Sequence, residues 1–337
     1  MKIKFTILVL VFGFLANHLK AQQDPQLTQF MNNKLFYNPG FAGSTPERIC
    51  VNLAYRSQWV GYGGGTAFTP EINGAKPVGR GDEPTTLNFG IQGNIKRFGI
   101  GLNIWRDNLG FTNTLSPTLS LSYIQPFNNG SSLAFGLGVG IIQKGINGSK
   151  LVPLTPGDPL VPTGDIVANA VNLDFGIYYK IPQLSIFDDF YFGLSSLHLN
   201  SPVVTFPTGG DSKQDRHYYA YTGGIYRMTN IDINPNVFFK SDGVKTSFDF
   251  NCLATYNQTL VGGLSYRTPQ EFSLLAGYNL PVKNNVIQFM YSYDLITSDI
   301  VTYNQGSHEI SLRYCFGISV PPRQVKPFYP LKTPRML

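Results

Sequence analysis

Along Ser307–Phe316 apolar and polar residues take turns. Ile310, Leu312, Tyr314 and Phe316 share one parity, and Glu309, Ser311, Arg313 and Cys315 the other. Strict alternation predicts a β-strand whose two faces meet different surroundings. The pattern recurs along the body: Phe98, Ile100, Leu102 and Ile104 oppose Gly99, Gly101 and Asn103, and Val171, Leu173, Phe175, Ile177 and Tyr179 oppose Asn172, Asp174 and Lys180. Read this way, the chain predicts about fourteen strands, at 47–58, 85–95, 98–107, 111–125, 131–144, 169–180, 187–199, 215–227, 231–240, 244–255, 259–267, 271–280, 285–294 and 307–316. Each is near the ~10 residues a tilted strand needs to cross a bilayer. An even number closes an antiparallel sheet with both chain ends on one side.

The long Gly/Pro-rich connections, 59–84, 145–168, 200–214 and 295–306, all follow odd-numbered strands, whereas most connections after even strands are tight. Long loops on one rim and short turns on the other are the outer-membrane pattern, with the long rim outside. The expected fold is therefore all-β: a transmembrane antiparallel β-barrel of about 14 strands, the last pairing with the first. A periplasmic β-sandwich is the competing reading. It is disfavoured because an apolar face, aromatic at its ends, recurs on nearly every strand. Pro117 and Pro235 each remove a ladder hydrogen bond and predict local bulges. The stretch 215–227, with Tyr218, Tyr219 and Tyr221, shows no clean face.

Composition agrees with lipid and water on opposite faces. Charged residues make up only 14% of the 337 residues and aromatics another 14%, with 35 glycines. Mean hydropathy is −0.06. With no apolar run of about 18 residues, a helical membrane protein is excluded. The formal charge of +6 is concentrated at the ends. Lys2, Lys4 and Lys20 precede residue 22, and Arg323, Lys326, Lys332 and Arg335 follow residue 316. Setting those seven of the 26 bases aside leaves 19 bases against 20 acids, so the body lacks the basic surface a nucleic-acid binder needs.

Residues 1–21 predict a secretory signal peptide: a basic start, an apolar segment over Phe5–Ala16, and Ala21 before the cut. Residues 317–337, with five prolines among four bases, predict an extended periplasmic tail. Between leader and barrel, residues 22–46 predict a helical element that packs in or under the barrel like a plug. Asp24 would cap a helix beginning at Pro25 and stopped by Asn38-Pro39-Gly40. Leu27, Phe30, Met31 and Leu35 would share one face, as the contacts of that plug.

Catalytic chemistry is sparse. His18 leaves with the leader, and His198, His217 and His308 remain. No His-Glu-x-x-His, Gly-x-Ser-x-Gly, phosphate loop or Cys-x-x-Cys is present, so no enzyme, metal or cofactor is expected. Ser196 and His198 fall on one strand face, but about 7 Å apart, too far for a nucleophile–base pair. Gly136, Gly138 and Gly140 alternate with Phe135, Leu137, Val139 and Ile141. They read as a luminal face that lets the barrel bend and leaves room for a plug. Cys252 is expected to face lipid. Cys50 and Cys315 both face the lumen near one rim on the seam strands, so a disulfide across the seam is geometrically open to them. The lumen is expected to hold Arg56, Asp174, Lys180, Asp249, Arg267, Asp294, Glu309 and Arg313, either lining water or pairing with one another and with a plug.

The residues also carry a resemblance. Asp24-Pro25-Gln26, Gln29-Phe30-Met31 and Tyr37-Asn38-Pro39-Gly40-Phe41-Ala42-Gly43-Ser44 resemble the opening of the PorP/SprF proteins, as do Arg56-Ser57-Gln58-Trp59 and the close Ser307-His308-Glu309-Ile310-Ser311-Leu312. Gly40 departs from the alanine usual there. The resemblance implies an outer-membrane barrel of Bacteroidota linked to type IX secretion and gliding motility. It also implies a role in export or surface attachment of adhesins. The partners it implies are the secretion and motility machinery, the C-terminal domain of a secreted adhesin and, because the tail is too small for an added domain, a periplasmic peptidoglycan-binding lipoprotein. The runner-up is a passive porin-like channel.

Overall fold

The computed structural model describes residues 24–60, 83–151, 162, 164–207, 209–269, 271–283, 285–297 and 305–317. The expected leader at 1–21, most of the connection 59–84, parts of the connections 145–168 and 295–306, and the expected tail beyond Gly317 lie outside them. Seven strands come first: β1 (Arg48–Ser57), β2 (Thr85–Ile95), β3 (Phe98–Leu109), β4 (Thr112–Pro126), β5 (Ser132–Ile146), β6 (Ile166–Leu184) and β7 (Phe187–Leu197). A two-stranded hairpin, β8 (Val203–Thr205) with β9 (Asp211–Lys213), interrupts them. Then follow β10 (His217–Arg227), β11 (Ile231–Ser241), β12 (Thr246–Tyr256), β13 (Leu260–Arg267), β14 (Glu271–Val282), β15 (Asn285–Ile296) and β16 (Ser307–Gly317).

Fourteen of these close into one antiparallel barrel, with β7 beside β10 and β1 beside β16. The seam runs in unbroken register from Arg48 opposite Gly317 to Ser57 opposite His308. A continuous ladder leaves no strand edge unpaired, the condition for sheet to stand in hydrocarbon. The alternation resolves as expected. Ile100, Leu119, Leu121, Leu137 and Val139 point outward and are exposed, while Asn103, Ser120 and Ser122 point inward and are buried. The rim joined by tight turns is called lower below, and the opposite one upper.

Four expectations need correction. Residues 24–33 are not helical; turns lead to a single short helix, α1 (Lys34–Tyr37), and a 3-10 turn over Pro39–Phe41. Asp24 does not cap a helix because its carboxylate is bonded to the barrel wall instead. Neither proline bulges its strand. Pairing is interrupted beside Pro117, but the β4–β5 register does not shift, and Pro235 keeps its place opposite Cys252. The irregularity lies in β10, between Gly223 and Ile225 against β7. The connection 200–214 is not wholly loop: Val204 and Phe206 of the hairpin region pack on Ile142 and Ala168. Ser196 and His198 do not share a face. Ser195 and Leu197 are the inward residues, and His198, with φ of 57°, leaves the alternation and turns into the lumen.

The unpatterned tyrosines of β10 have a physical reason. Tyr219 and Tyr221 are buried inside the barrel, where Tyr219 meets Tyr37 at 5.2 Å between ring centroids. A luminal face that packs on another segment has no need to be polar. Phe30 stacks on Phe238 at 4.8 Å, and Phe36 sets its edge to Trp105 at 6.1 Å. Leu27, Phe30, Met31, Leu35, Phe36, Tyr37 and Phe41 all lie buried. Burial of such side chains contributes about 1.5–3 kcal/mol each.

At the seam Cys50 stands opposite Cys315 and the two are joined by a disulfide, with Cα atoms 4.0 Å apart across 265 positions of sequence. Cys252 is free and exposed. Closing so long a loop in the unfolded chain is worth up to about 5 kcal/mol. The fully denatured, unreduced chain should therefore migrate faster than the reduced one on a denaturing gel. Cys50→Ser and Cys315→Ser should each abolish the difference, and Cys252→Ser should leave it intact.

Candidate functional site

Residues 24–46 cross the lumen from the upper end to the lower, and each part is held by a different sector of wall. The lower half carries Asn38-Pro39-Gly40. The Asn38 side chain accepts from the Gly40 N–H at 2.7 Å and donates to the carbonyls of Ile177 and Leu194, at 2.9 and 3.3 Å. The Ser195 hydroxyl donates to the Tyr37 carbonyl at 2.6 Å and that of Ser122 to the Ala42 carbonyl at 2.7 Å. The Gly43 N–H reaches Gln92 at 3.0 Å. Gly136 makes this approach possible: a Cβ there would meet the backbone of Pro39 and Gly40. Gly138 and Gly140 serve a different end, since their open sides face Asp174 and Thr118 of the wall itself.

The upper half rests on a ladder of charge. Lys240 on β11 meets Asp249 on β12 at 2.9 Å, and Asp249 meets Arg267 on β13 at 3.0 Å. Arg267 meets Glu271 on β14 at 2.8 Å, and Glu271 meets Arg56 on β1 at 3.5 Å. Arg56 also pairs with Asp294 on β15 and, at 3.3 Å, with Glu309 on β16. This ladder holds four carboxylates against three cations, and the N-terminal segment supplies the missing donors. The backbone N–H groups of Thr28 and Gln29 donate to the two oxygens of Glu309 at 2.7 and 3.0 Å. The Thr28 hydroxyl donates to Asp294 at 2.9 Å. Arg267 and Lys240 donate in turn to the Leu27 carbonyl at 3.3 Å and the Gln26 side chain at 3.2 Å. A buried carboxylate is tolerable only when paired and hydrogen-bonded.

Five of the eight luminal charges read from the sequence thus meet in one cluster: Arg56, Asp249, Arg267, Asp294 and Glu309. Asp174 stands apart, accepting the His198 N–H at 2.9 Å. Lys180 pairs with Asp189 at 2.9 Å near the lower rim. Arg313 is half-buried there, beside a cavity it shares with Lys34. Sequence reading missed Lys240 and Glu271, as well as Asp24. The Asp24 carboxylate lies 2.9 Å from His198 Nε2 and accepts from Gln214 at 2.9 Å and Tyr219 at 3.2 Å. Burial pushes the Asp24 carboxyl up, but His198 and His217 beside it, with hydrogen bonds from His198 and Tyr219, hold it below the usual carboxylate range.

Open space lies on both sides of the segment. An upper cavity of about 470 Å³ is bordered by Asp24, His217, Lys240 and Arg267, and a lower one of about 460 Å³ by Lys34, Tyr191, Gln288 and Arg313. Between them a void of about 20 Å³ sits beside Asn33, Asn52 and Asn88, room for about one water. Lys34 rests over the Tyr191 ring at 3.4 Å.

Residues 19–314 match the family described as type IX secretion system membrane protein PorP/SprF. The chain belongs to the PorP/SprF family. That assignment places it in the outer membrane, as a component of type IX secretion. No curated relative matches by sequence. Among solved structures it is similar to the toluene transporter TbuX of Ralstonia pickettii. Identity is 12% over 85% of this chain and 94% of that one, with a TM-score of 0.50. It is also similar to the Pseudomonas putida toluene transporter TodX, at 10% identity over 85% and 94% with a TM-score of 0.48. A Pseudomonas aeruginosa FadL homologue matches at 12% identity over 85% and 94%, with a TM-score of 0.47. At these identities the likeness concerns the fold alone.

Two variants probe the anchoring. Arg56→Leu strands Asp294 and Glu309 without their shared cation and should cost about 3–5 kcal/mol in urea unfolding of the refolded protein. Arg227→Ala, which removes an exposed cation 2.8 Å from Asp188, should cost no more than about 1 kcal/mol. Gly136→Val should push Pro39 off the wall while the strands stay paired, so that trypsin cuts at Lys34 in the variant and not in the parent.

Proposed function

We propose that this PorP/SprF protein is a non-enzymatic, plugged scaffold of the type IX export and gliding apparatus, supporting export or surface attachment of adhesins. Family membership over residues 19–314 is the observation that carries the reading. The occupied lumen is consistent with it, since a segment bonded to both halves of the wall takes up space that an open, porin-like passage would need. The upper connections, including the hairpin β8–β9, then face outside to meet the C-terminal domain of an exported adhesin. The basic, proline-rich tail lies in the periplasm, where a peptidoglycan-binding lipoprotein or another machinery component takes hold of it.

The rival, a passive channel, draws on the two cavities. Two measurements separate them. Deleting the gene in the native Bacteroidota host should abolish surface display of at least one adhesin while other outer-membrane proteins stay at their normal level; display of every adhesin unchanged would sink the scaffold reading. In planar bilayers the intact protein should be silent and a chain lacking residues 24–46 should conduct in steps, whereas steady conductance by the intact protein would favour the channel.

A further inference from the structure

Asp24, His198 and His217 reach one point from three places in the fold. Asp24 lies in the segment that crosses the lumen, His198 just beyond β7, and His217 at the start of β10. All three are buried, and one ligand atom from each lies within 4.8 Å of the others. Hydrogen bonding fixes which ring atoms are available. His198 Nδ1 is 2.7 Å from Asn172 Oδ1, and the amide nitrogen of Asn172 is committed to Asp174 at 2.9 Å. The oxygen of Asn172 therefore faces the ring, and Nδ1 carries the hydrogen. His217 Nδ1 lies 3.0 Å from the Asp215 carbonyl, so it too donates.

In each neutral ring the lone pair is then on Nε2. For His198 it points at the Asp24 carboxylate, 3.0 and 2.9 Å from the two oxygens. Two lone-pair donors stand that close only with a cation between them, either a proton or a metal ion. His217 Nε2 accepts only the Asp24 N–H, at a long 3.3 Å, while its Nδ1 lies 3.7 Å from the Asp24 carboxylate, so the ring must turn to bring its lone pair onto the point that His198 and Asp24 share.

We propose that Asp24, His198 and His217 bind one divalent transition-metal ion, zinc above all. Two imidazoles and a carboxylate are a donor set that zinc accepts, with a fourth position left open. Calcium and magnesium prefer sites made of oxygens alone. The 2.9–3.0 Å between His198 and Asp24 is within a few tenths of the roughly 3.3 Å between ligand atoms around a tetrahedral zinc. Each histidine already has the support a metal ligand needs, its other ring N–H donating to an amide or backbone carbonyl. Gln214 and Tyr219 each take one lone pair of the Asp24 carboxylate and so orient the rest. The open position faces the upper cavity, which Asp24 and His217 help to line. Bound there, the ion fastens the upper part of the luminal segment to β10 and to the residue just beyond β7. It also offers an exchangeable site to a carboxylate or imidazole arriving from above. None of this depends on the secretion role.

The test uses the full, untagged chain in detergent, stripped with a chelator, dialysed and titrated with zinc against a chromophoric competitor. About one zinc per chain should bind with micromolar or tighter affinity. His198→Gln and His217→Gln should each weaken binding at least about tenfold. Asn172→Leu, which removes no ligand, should weaken it about 10–100-fold. Cobalt in the unaltered protein should give the intense visible bands of a four-coordinate site, a readout that requires no variant to fold. Less than about 0.1 zinc per chain at 100 µM, binding undiminished in the double histidine variant, or a weak six-coordinate cobalt spectrum would each overturn the proposal and leave a proton as the cation between His198 and Asp24.

Discussion

Hydrocarbon offers no partner to a backbone N–H or C=O, and this one restriction organises the molecule. A sheet in lipid must close, so β16 has to find β1 and every strand must keep its register. Closure fixes the rest by parity. Every second side chain leaves for the lipid, and those between are delivered to the interior. Whatever occupies that interior has to satisfy the polar groups the sheet sends in.

The chain meets this demand with its own N-terminal segment. Its lower half is docked through glycines and carbonyls: Gly136 gives Pro39 room to approach, Asn38 hangs from Ile177 and Leu194, and Gly43 leans on Gln92. Its upper half is docked through charge, with the backbone of Thr28 and Gln29 completing a ladder that holds one more carboxylate than it has cations. Aromatic rings join the two regimes, Tyr37 touching both Tyr219 and Phe238. Wall and segment are thus one packing unit, and the barrel's interior is specified by residues far from it in sequence.

What the sequence showed and hid follows from the range of the forces involved. Strand number and facing are legible because alternation is local and the two solvents differ sharply, as at Phe98–Ile104. The seam is legible as well, since Ser307–Phe316 has a clear parity. Opacity begins where the inner surroundings are protein and not water. Tyr219 and Tyr221 broke the pattern because their luminal neighbours are rings. Asp24 read as a helix cap because a cap is the local use of an aspartate before proline; its actual partners, His198 and Gln214, lie 174 and 190 residues away. Glu271 and Lys240 passed unremarked for the same reason. The left-handed turn at His198 carried little signal, because histidine, though commoner there than most residues, adopts that conformation far less often than glycine.

Where the luminal segment meets its wall bears on how the barrel is closed. Residues 38–43 lean mainly on β2 to β7, in the first half of the barrel, whereas residues 26–29 are bonded to β11, β13, β15 and β16 and to Arg56 of β1, across the seam. The lower part of the segment is thus held by one side of the barrel and the upper part by the other side and the seam. In the closed barrel Glu309 of the last strand holds Thr28, Gln29 and Arg56 of the first strand together. Enclosure of the segment and completion of the cylinder therefore share the same residues, and a chain whose beginning is not seated lacks bonds that tie its two edges together.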